Sequence, residues 1–326
     1  MTLRAGVVGL GVMGRHHSRV LGSLSGVDFV GVFDPAESVP DHIEGAGVTR
    51  DLDAFLALGL DYCVVAAPTI HHLELGRELA KRGIHALIEK PVASDSAAAE
   101  ELSTLFANAG LVGGVGHIER YNPALQSMRK RIEDGFLGEI YQMATRRQGP
   151  FPGRIADVGV IKDLATHDID LTAWVSQQSY VSVNARTAHR SGRAHEDMVV
   201  AIGTLSKGTI ASHTVNWLSP FKERTTVATG EKGALVADTL TADLTYFQNG
   251  VVQSSWDRVS TFRGVSEGDV TRYALDRKEP LLAEHEAFRD AVLTGVTDEI
   301  VTLAEGTKTV VIAEKFVADG LEHKLS

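Results

Sequence analysis

Residues 3–34 of this 326-residue chain read LRAGVVGLGVMGRHHSRVLGSLSGVDFVGVFD. The first apolar run, 3–8, predicts a β-strand, and a glycine-rich turn follows it directly. The next stretch has helical spacing, with its repeat at Val12, His16, Val20 and Leu24. A second apolar strand then ends at Asp34. The order strand, glycine-rich turn, helix, strand and acidic residue is typical of a unit that binds dinucleotides.

The glycine-rich turn matches the pattern G-x-G-x-x-G at Gly9, Gly11 and Gly14. Gly9 makes the tight turn, Gly11 lets the backbone approach a pyrophosphate, and Gly14 lets the helix pack closely on the strand. The N-terminus of the following helix stabilises the anion. We therefore predict that the cofactor is bound by the whole turn, which comprises Gly9, Gly11, Val12, Met13 and Gly14.

Asp34 follows Gly14 by about 20 residues, the spacing at which an acidic residue accepts hydrogen bonds from the ribose hydroxyls. The segment after it adds Glu37 and Asp41 and contains no Lys or Arg. A 2′-phosphate would meet negative charge there without a counter-ion, so the sequence predicts NAD rather than NADP. In the alternative interpretation Asp34, which precedes a proline, is only a turn residue at a strand end.

Helix and strand patterns alternate regularly up to His117, and the strands are almost continuously apolar. This pattern predicts a doubly wound parallel α/β sheet that binds its ligands beyond the carboxyl ends of the strands. We predict a Rossmann domain over residues 1–118 and a second domain over 119–326. The predicted strand ends are Gly9–Gly14, Asp34, Ala67-Pro68-Thr69, Glu89-Lys90-Pro91 and His117.

The second half of the chain is rich in strand patterns separated by the turn sequences SKG, GEKG and QNG. Two helical patterns, 283–295 and 303–320, follow them. The predicted strands are residues 140–146, 181–187, 197–205, 209–217, 224–229 and 234–237.

Composition excludes several classes of partner. The formal net charge of −10 would repel a phosphate backbone, so we expect no nucleic-acid partner. No apolar run approaches the about 18–20 residues that span a bilayer, so we expect no membrane partner. Cys63 is the only cysteine. A disulfide within the chain is therefore impossible, which fits a reducing cytoplasm.

A polar stripe interrupts an otherwise apolar stretch, KDLATHDIDLTAW, at residues 162–174. At about 100° per residue, Asp163, His167, Asp170 and Trp174 share one face of a helix. A helix that is apolar on its other sides is normally buried, and buried carboxylates and imidazoles are unfavourable unless they are paired or used. The stripe is either a structural pair or a catalytic one. A third metal ligand is not evident, so we predict no metal.

The Glu89-Lys90-Pro91 strand end follows the glycine turn and the sequence AAPTIHH at distances that resemble the Gfo/Idh/MocA family of NAD(P)-dependent sugar and cyclitol oxidoreductases. The resemblance covers nearly the whole chain. It departs from the family pattern where the usual Pro-Asn is Pro68-Thr69. Four further stretches, which begin GHIERYNPAL, RRQGPFPGRI, VNWLSPFKER and EPLLAEHEAF, look most like the UDP-N-acetylglucosamine 3-dehydrogenase branch.

The resemblance implies a catalytic lysine at Lys90 and an Asp-x-x-x-His pair at Asp163 and His167. It also implies a second domain with a large, open, mostly antiparallel sheet that mediates assembly into a homodimer or homotetramer. Alcohol oxidation needs a base and a group that stabilises the growing alkoxide. Lys90 can supply either role, and His167, oriented by Asp163, can be the base. Which of them takes the proton stays open.

The remaining predicted contacts follow from the same resemblance and from charge. We expect the substrate to be a nucleotide sugar whose diphosphate is offset by Arg154 and Lys162. Arg120 and Tyr121 are substrate candidates with an equal alternative role in packing between the domains. Alternative functions are an inositol or unactivated-sugar dehydrogenase and a non-enzymatic NAD-binding sensor. The other predicted cofactor contacts are Pro68, Thr69, His72, Glu89 and Lys90.

Overall fold

The computed structural model describes residues 2–43, 45–153, 158–250 and 266–323. The chain clusters into two compact units, the first formed by Met1–Ile118 and Lys278–Glu314 and the second by Glu119–Arg277 and Lys315–Ser326. The predicted domain limits, 1–118 and 119–326, concern folding domains and stay a prediction. The spatial units differ from them mainly in the segment 278–314, which lies with the first unit.

Two helices, Pro280–Thr294 and Leu303–Glu322, lie within three residues of the patterns predicted at 283–295 and 303–320. Three other helices are capped by a side chain, from Asp51, Asp95 or Asn122, that accepts backbone N–H groups of the first turn. None of the helices in the described ranges combines the length and apolar character needed to cross a membrane. In chain order the helices are α1 Val12–Leu21, α2 Leu52–Leu56, α3 His72–Lys81, α4 Ser96–Asn108, α5 Pro123–Glu133, α6 Thr166–Ser176, α7 Pro280–Thr294 and α8 Leu303–Glu322.

The first unit is built on a seven-stranded sheet in the order β3-β4-β2-β1-β5-β6-β7. Only the β3–β4 pair is antiparallel among the strand pairs of the described residues. The predicted doubly wound parallel sheet is therefore confirmed. Its strands are β1 Leu3–Val8, β2 Val27–Phe33, β3 His42–Ile43, β4 Ala46–Thr49, β5 Tyr62–Val65, β6 His85–Glu89 and β7 Gly113–Gly116.

Helix α1 presents a different face to the sheet from the one the sequence pattern indicates. Val12 is 56% exposed, and His16 is exposed as well, whereas the neighbouring His17 is fully buried. The helical repeat predicted from the sequence is therefore wrong at its first two residues, Val12 and His16, which do not lie on the buried face. Val12 begins the helix at the open edge of the sheet, and His17 is buried because it finds polar partners inside the unit. The buried residues of α1 are Gly14, His17, Ser18, Val20 and Leu21.

The second unit contains an eight-stranded sheet in the order β15-β14-β13-β12-β8-β11-β10-β9. Apart from the parallel β8–β11 pair, its described pairs are antiparallel, which confirms a large, mostly antiparallel sheet. One face packs against α5 and α6 in a continuous apolar core. The strands are β8 Ile140–Pro150, β9 Tyr180–Ala188, β10 Met198–Leu205, β11 Ile210–Asn216, β12 Leu218–Gly230, β13 Gly233–Asp238, β14 Asp243–Gly250 and β15 Ser266–Tyr273.

The last two strands were not predicted. The sequence QNG, predicted as a turn, forms the end of β14, where Asn249 pairs with Glu267 and Gly250 with Ser266. These positions carry polar residues and glycine rather than an apolar alternation, and the pairing partner lies well beyond them in the chain. The turn prediction at 248–250 is therefore wrong.

His213 on β11 is a buried histidine with two hydroxyl neighbours. Its Nδ1 lies 2.8 Å from Thr145 Oγ1 and its Nε2 lies 2.8 Å from the Tyr180 hydroxyl. Burial lowers the pKa of His213 from 6.5 to about 4. The imidazole is therefore neutral in the folded protein at pH values where the unfolded chain is already protonated.

We expect His213 to make the protein sensitive to acid. Its contribution is fully present above pH 6.5 and is lost as the pH falls towards 4, because the unfolded state then binds the proton more tightly. Between pH 7 and 4.5 the free energy of unfolding should fall by about 2 kcal/mol for this group alone. Denaturant unfolding of His213→Gln should show a smaller loss over this interval than the wild type. The exposed control His42→Gln should match the wild type; equal pH dependence in all three proteins would contradict the prediction.

Candidate active site

The glycine-rich turn leaves open space at one glycine and none at the other two. Gly9 has a φ of +92°, and a Cβ there would lie 2.7 Å from the carbonyl oxygen of Ala66. A Cβ on Gly14 would overlap the carbonyl oxygen of Gly9, whereas one on Gly11 would meet nothing within 4 Å. The turn is thus closed by packing at Gly9 and Gly14 and open at Gly11, which fits the close approach of a pyrophosphate.

A matched pair of substitutions separates these roles. Gly11 has a φ of −67°, which alanine adopts freely, so Gly11→Ala should change the free energy of unfolding by no more than about 0.5 kcal/mol. It should nevertheless weaken NAD binding roughly tenfold or more, since the added methyl group occupies the open space. Gly14→Ala should instead lower stability through its backbone overlap. Thermal unfolding without NAD and calorimetric titration with NAD measure the two effects, and an unchanged Kd for Gly11→Ala would refute the placement.

Asp34 follows β2 and ties the glycine turn to that strand end. Its Oδ2 accepts the Leu10 N–H at 2.6 Å, and its Oδ1 accepts the Ala36 N–H at 2.9 Å. Each carboxylate oxygen retains a second lone pair for a ribose hydroxyl. The turn role and the ribose role are therefore compatible. Arg15, which sequence reasoning left out although it directly follows the motif, donates from Nε to Leu10 O at 3.2 Å.

The ends of β5 and β6 are joined by His72. After β5, Pro68 leads into a 3₁₀ turn, Thr69–His71, and α3 starts at His72. The buried ring of His72 places Nε2 2.9 Å from Ala67 O and Nδ1 3.1 Å from Pro91 O. Burial lowers its pKa, although these carbonyl groups oppose that effect. The predicted cofactor contacts of Pro68, Thr69 and His72 stay predictions, and the bridge between the strand ends is what the structure adds.

Lys90 directly follows β6, and the Lys90-Pro91 peptide bond is cis. The Glu89 carboxylate turns inward, where Oε2 accepts the Lys90 N–H at 3.0 Å and Oε1 lies 2.9 Å from His17 Nε2. Glu89 is 8% exposed. The predicted contact of Glu89 with the cofactor stays a prediction. In the structure its carboxylate contacts the Lys90 N–H and His17 instead. Sequence reasoning missed His17 because its partners lie far away in the chain.

Asp163 lies in a π-helical turn, Ile161–Ala165, that precedes α6. Glu196 fixes the start of this turn by accepting the Ile161 N–H at 3.1 Å. A π turn has a wider repeat than an α-helix, so the regular helix expected over 162–174 is wrong for its first residues. Such turns occur often at functional sites. Asp163 is buried, and His167, in the first turn of α6, is half-buried.

Asp170 of the stripe and its neighbour Asp168 both have arginine partners. Asp170 accepts two hydrogen bonds from Arg120, at 2.9 Å from Nε and 2.7 Å from Nη2. Asp168 accepts one from Arg147 Nε at 3.1 Å, and Arg147 Nη1 also donates to Glu119 at 2.8 Å. These buried carboxylates are thus compensated by buried guanidinium groups. Part of the polar stripe is therefore structural.

Buried charges shift one another in this cluster. Burial raises the pKa of Asp168 to about 6, although Arg147 opposes the shift. Burial also acts to raise the pKa of Glu119, but Arg147 and Arg224 outweigh it and hold that pKa below its usual range. The Arg224 guanidinium lies 3.7 Å from Glu119. Arg147 was not among the predicted site residues.

The predicted substrate residues lie in different environments. The Arg120 side chain is held against Asp170 and lies over the Trp174 ring, 5.8 Å from its centroid. Arg120 and Tyr121 are buried, 8% and 9% exposed, and both predicted roles, a substrate contact and packing between the domains, stay predictions. Lys162 is half-buried at the start of the π turn. Arg154 lies outside the described residues.

Two family models match the chain. Residues 3–117 match the model described as "Oxidoreductase family, NAD-binding Rossmann fold", and residues 125–236 match the "GFO/IDH/MocA C-terminal domain". The chain belongs to the Gfo/Idh/MocA family. NAD, the predicted cofactor, is thereby confirmed for this family member, whereas the glycine turn and Asp34 stay the predicted binding residues.

Two curated relatives illustrate the range of this family. The UDP-N-acetylglucosamine 3-dehydrogenase of Acidithiobacillus ferrooxidans is 35% identical over 216 residues, which cover 64% of this chain and 66% of that protein. Inositol 2-dehydrogenase 2 of Saccharopolyspora erythraea is 30% identical over 209 residues, 60% of each chain. The aligned segments thus span less than two thirds of these relatives.

A solved structure of a family member extends the comparison to nearly the full length. The UDP-N-acetylglucosamine 3-dehydrogenase GnnA from Acidithiobacillus ferrooxidans superposes with a TM-score of 0.84 at 26% identity, covering 99% of both chains. The present member therefore shares the complete two-part architecture of that protein.

Proposed function

We propose that the protein is an NAD-dependent dehydrogenase that oxidises a secondary alcohol of a sugar, specifically the 3-hydroxyl of a UDP-linked N-acetylhexosamine. The observation that carries this proposal is the set of reactive side chains in an NAD-binding family member: Lys90 at the end of β6, and Asp163 with His167 at the start of α6. Bound NAD supplies the carbon that accepts the hydride.

Lys90 is suited to act on the alcohol oxygen. It lies at the carboxyl end of a parallel strand, where open α/β sheets bind their ligands. The contact between its N–H and the Glu89 carboxylate holds its backbone in place. The ammonium form would stabilise negative charge that develops on oxygen, and the neutral amine would accept the hydroxyl proton.

His167 and Asp163 form the second part of the proposed chemistry. An imidazole has an ordinary pKa of about 6.5, which suits a base near neutral pH. Asp163, buried in the preceding turn, would orient the ring and stabilise its protonated form, as a carboxylate does for the histidine of hydrolase triads. Lys90 and His167 remain alternative proton acceptors in this proposal.

A nucleotide sugar is favoured by the relative with 35% identity, whose printed name specifies UDP-N-acetylglucosamine. Purified protein should form NADH from NAD and UDP-N-acetylglucosamine with a kcat/KM at least about tenfold above that for myo-inositol or glucose. NADH formation from myo-inositol alone would reject the nucleotide sugar and support the second candidate, an inositol dehydrogenase, which the relative with 30% identity favours. No turnover with any sugar, together with intact NAD binding, would support a sensor.

We also propose that the open face of the eight-stranded sheet is the surface for assembly into a homodimer or homotetramer. Val200, Ile202 and Ile210 lie on this face and are 46%, 54% and 54% exposed, whereas Val199 and Ala201 on the opposite face are buried. Monomeric proteins rarely leave a broad apolar surface uncovered. Light scattering should show an oligomer for the wild type and a monomer for Ile202→Lys; an unchanged mass would contradict this assignment.

A further inference from the structure

Four ionisable side chains come close together inside the first unit, next to Lys90. His17 extends from α1, Glu89 from the end of β6, and Glu284 and His285 from α7. His17 Nδ1 lies 2.8 Å from His285 Nε2, and His17 Nε2 lies 2.9 Å from Glu89 Oε1. All four residues are buried: the exposed fraction is 0% for His17 and His285, 1% for Glu284 and 8% for Glu89.

This cluster is unfavourable for stability by itself. Buried ionisable groups lose their hydration, and well-packed apolar residues of similar volume often serve a core better. The surroundings are nevertheless shaped to accept the carboxylate: a Cβ on Gly116, at the end of β7, would lie 3.2 Å from Glu89 Cδ. A function next to the reacting lysine would explain why the charge is kept.

The pKa shifts and the contacts of the cluster together indicate which of its groups carry protons. Burial acts to raise the pKa of Glu89, but the hydrogen bond and charge of His17 and the neighbouring Lys90 hold it below its usual range. Glu89 is therefore ionised and must accept the proton of His17 Nε2. Burial moves the pKa of His285 well below its ordinary value, so its ring is neutral. His285 Nε2 and His17 Nδ1, 2.8 Å apart, then share one proton, which holds the His17 ring in place.

Glu284 is a second acidic group beside Glu89. Burial, aided by Glu89, raises its pKa well above the ordinary value, which favours its uncharged form. The titratable groups that act on Glu89 are then His17 from α1, His72 from α3, the adjacent Lys90, and Glu284 and His285 from α7. Of the two acidic groups, Glu89 is the one whose pKa is lowered, so it carries the negative charge.

We propose that Glu89, held by His17 and His285, is a positioning residue that fixes the Lys90 backbone and sets the charge of the Lys90 amine during alcohol oxidation. This inference rests on the proposed function of Lys90. The carboxylate orients Lys90 through the N–H of its peptide and places one negative charge behind it. His285 holds the other ring nitrogen of His17, so that His17 presents its Nε2–H to Glu89.

The test compares Glu89→Gln and His285→Gln with the half-buried control His85→Gln. Glu89→Gln removes the charge at nearly constant shape. We expect kcat to fall roughly tenfold or more with the Kd for NAD within about twofold. The pH–kcat limb that depends on Lys90 should move to lower pH, because the ammonium form has lost an anion. His285→Gln should shift the limb in the same direction by less, and His85→Gln should leave it in place.

A second readout does not depend on turnover. Selective ¹³C labelling of lysine, with the Lys90 signal assigned by its loss in Lys90→Met, follows the titration of the amine directly by NMR. Its midpoint should move to lower pH in Glu89→Gln in the NAD-bound protein. Lower stability with an unmoved midpoint and an unmoved pH profile would overturn the inference, since a purely structural role predicts that result. Absence of sugar oxidation by the wild type would reject the proposed function while leaving the NMR comparison intact.

Discussion

Lys90→Met will lower kcat for sugar oxidation by about 10²- to 10⁴-fold, the range expected when a group that moves a proton or stabilises an oxyanion is lost. The substitution replaces the amine with an apolar group of similar length. The contact from the Lys90 N–H to Glu89 involves the backbone and should persist in the variant. NAD binding should therefore change by no more than a few fold.

The matched control is Lys81→Met, at an exposed position in the last turn of α3. It removes the same charge from the same unit and should retain wild-type kcat. Initial rates of NADH formation and calorimetric NAD titrations separate a loss of chemistry from a loss of cofactor. Wild-type turnover in Lys90→Met would remove this residue from the mechanism, whatever the substrate proves to be.

Arg147→Met should destabilise the protein by about 3–5 kcal/mol, the usual effect of removing one partner from a buried ionic cluster. The Arg147 side chain is 3% exposed and contacts both Glu119 and Asp168. Without it, two carboxyl groups remain in the interior of the second unit with much less compensation. The midpoint of denaturant unfolding measures the effect.

The neighbouring residue provides the control. The Arg146 side chain is 59% exposed on the opposite face of β8, with Glu223 at 3.6 Å, so Arg146→Met should change stability by no more than about 1 kcal/mol. Adding Asp168→Asn to Arg147→Met should recover part of the loss, because the variant then buries one ionisable group fewer. Equal stabilities of the two single arginine variants would show that the cluster contributes little.

The parallel sheet of the first unit could be predicted because its strands are short, apolar and separated by glycine or capping residues. The glycine turn and Asp34 were predictable for a related reason, since each residue type there meets a local backbone requirement. Gly14, for example, packs against Gly9 within the same turn. Local sequence carries this kind of information well.

The remaining features depend on partners that are distant in the chain. His16 and His17 are identical neighbours, and His17 is the buried one because it contacts Glu89 and His285, 72 and 268 positions away. The π turn around Asp163 is held by Glu196, so a constant helical repeat could not reveal it. The sequence left the role of Asp170 open, and its contact with Arg120, 50 positions away, accounts for its burial.

The segment 278–314 has a consequence for the way this protein is made. It supplies Phe288, whose ring packs 5.5 Å from that of Tyr62, and Val301, whose carbonyl accepts the Val115 N–H. Both contacts belong to the unit that contains the N-terminus. Until residues 278–314 have left the ribosome, that unit therefore lacks α7, the first part of α8 and the bridge from Thr302 to Gly114 of β7. Its final packing must wait for this segment.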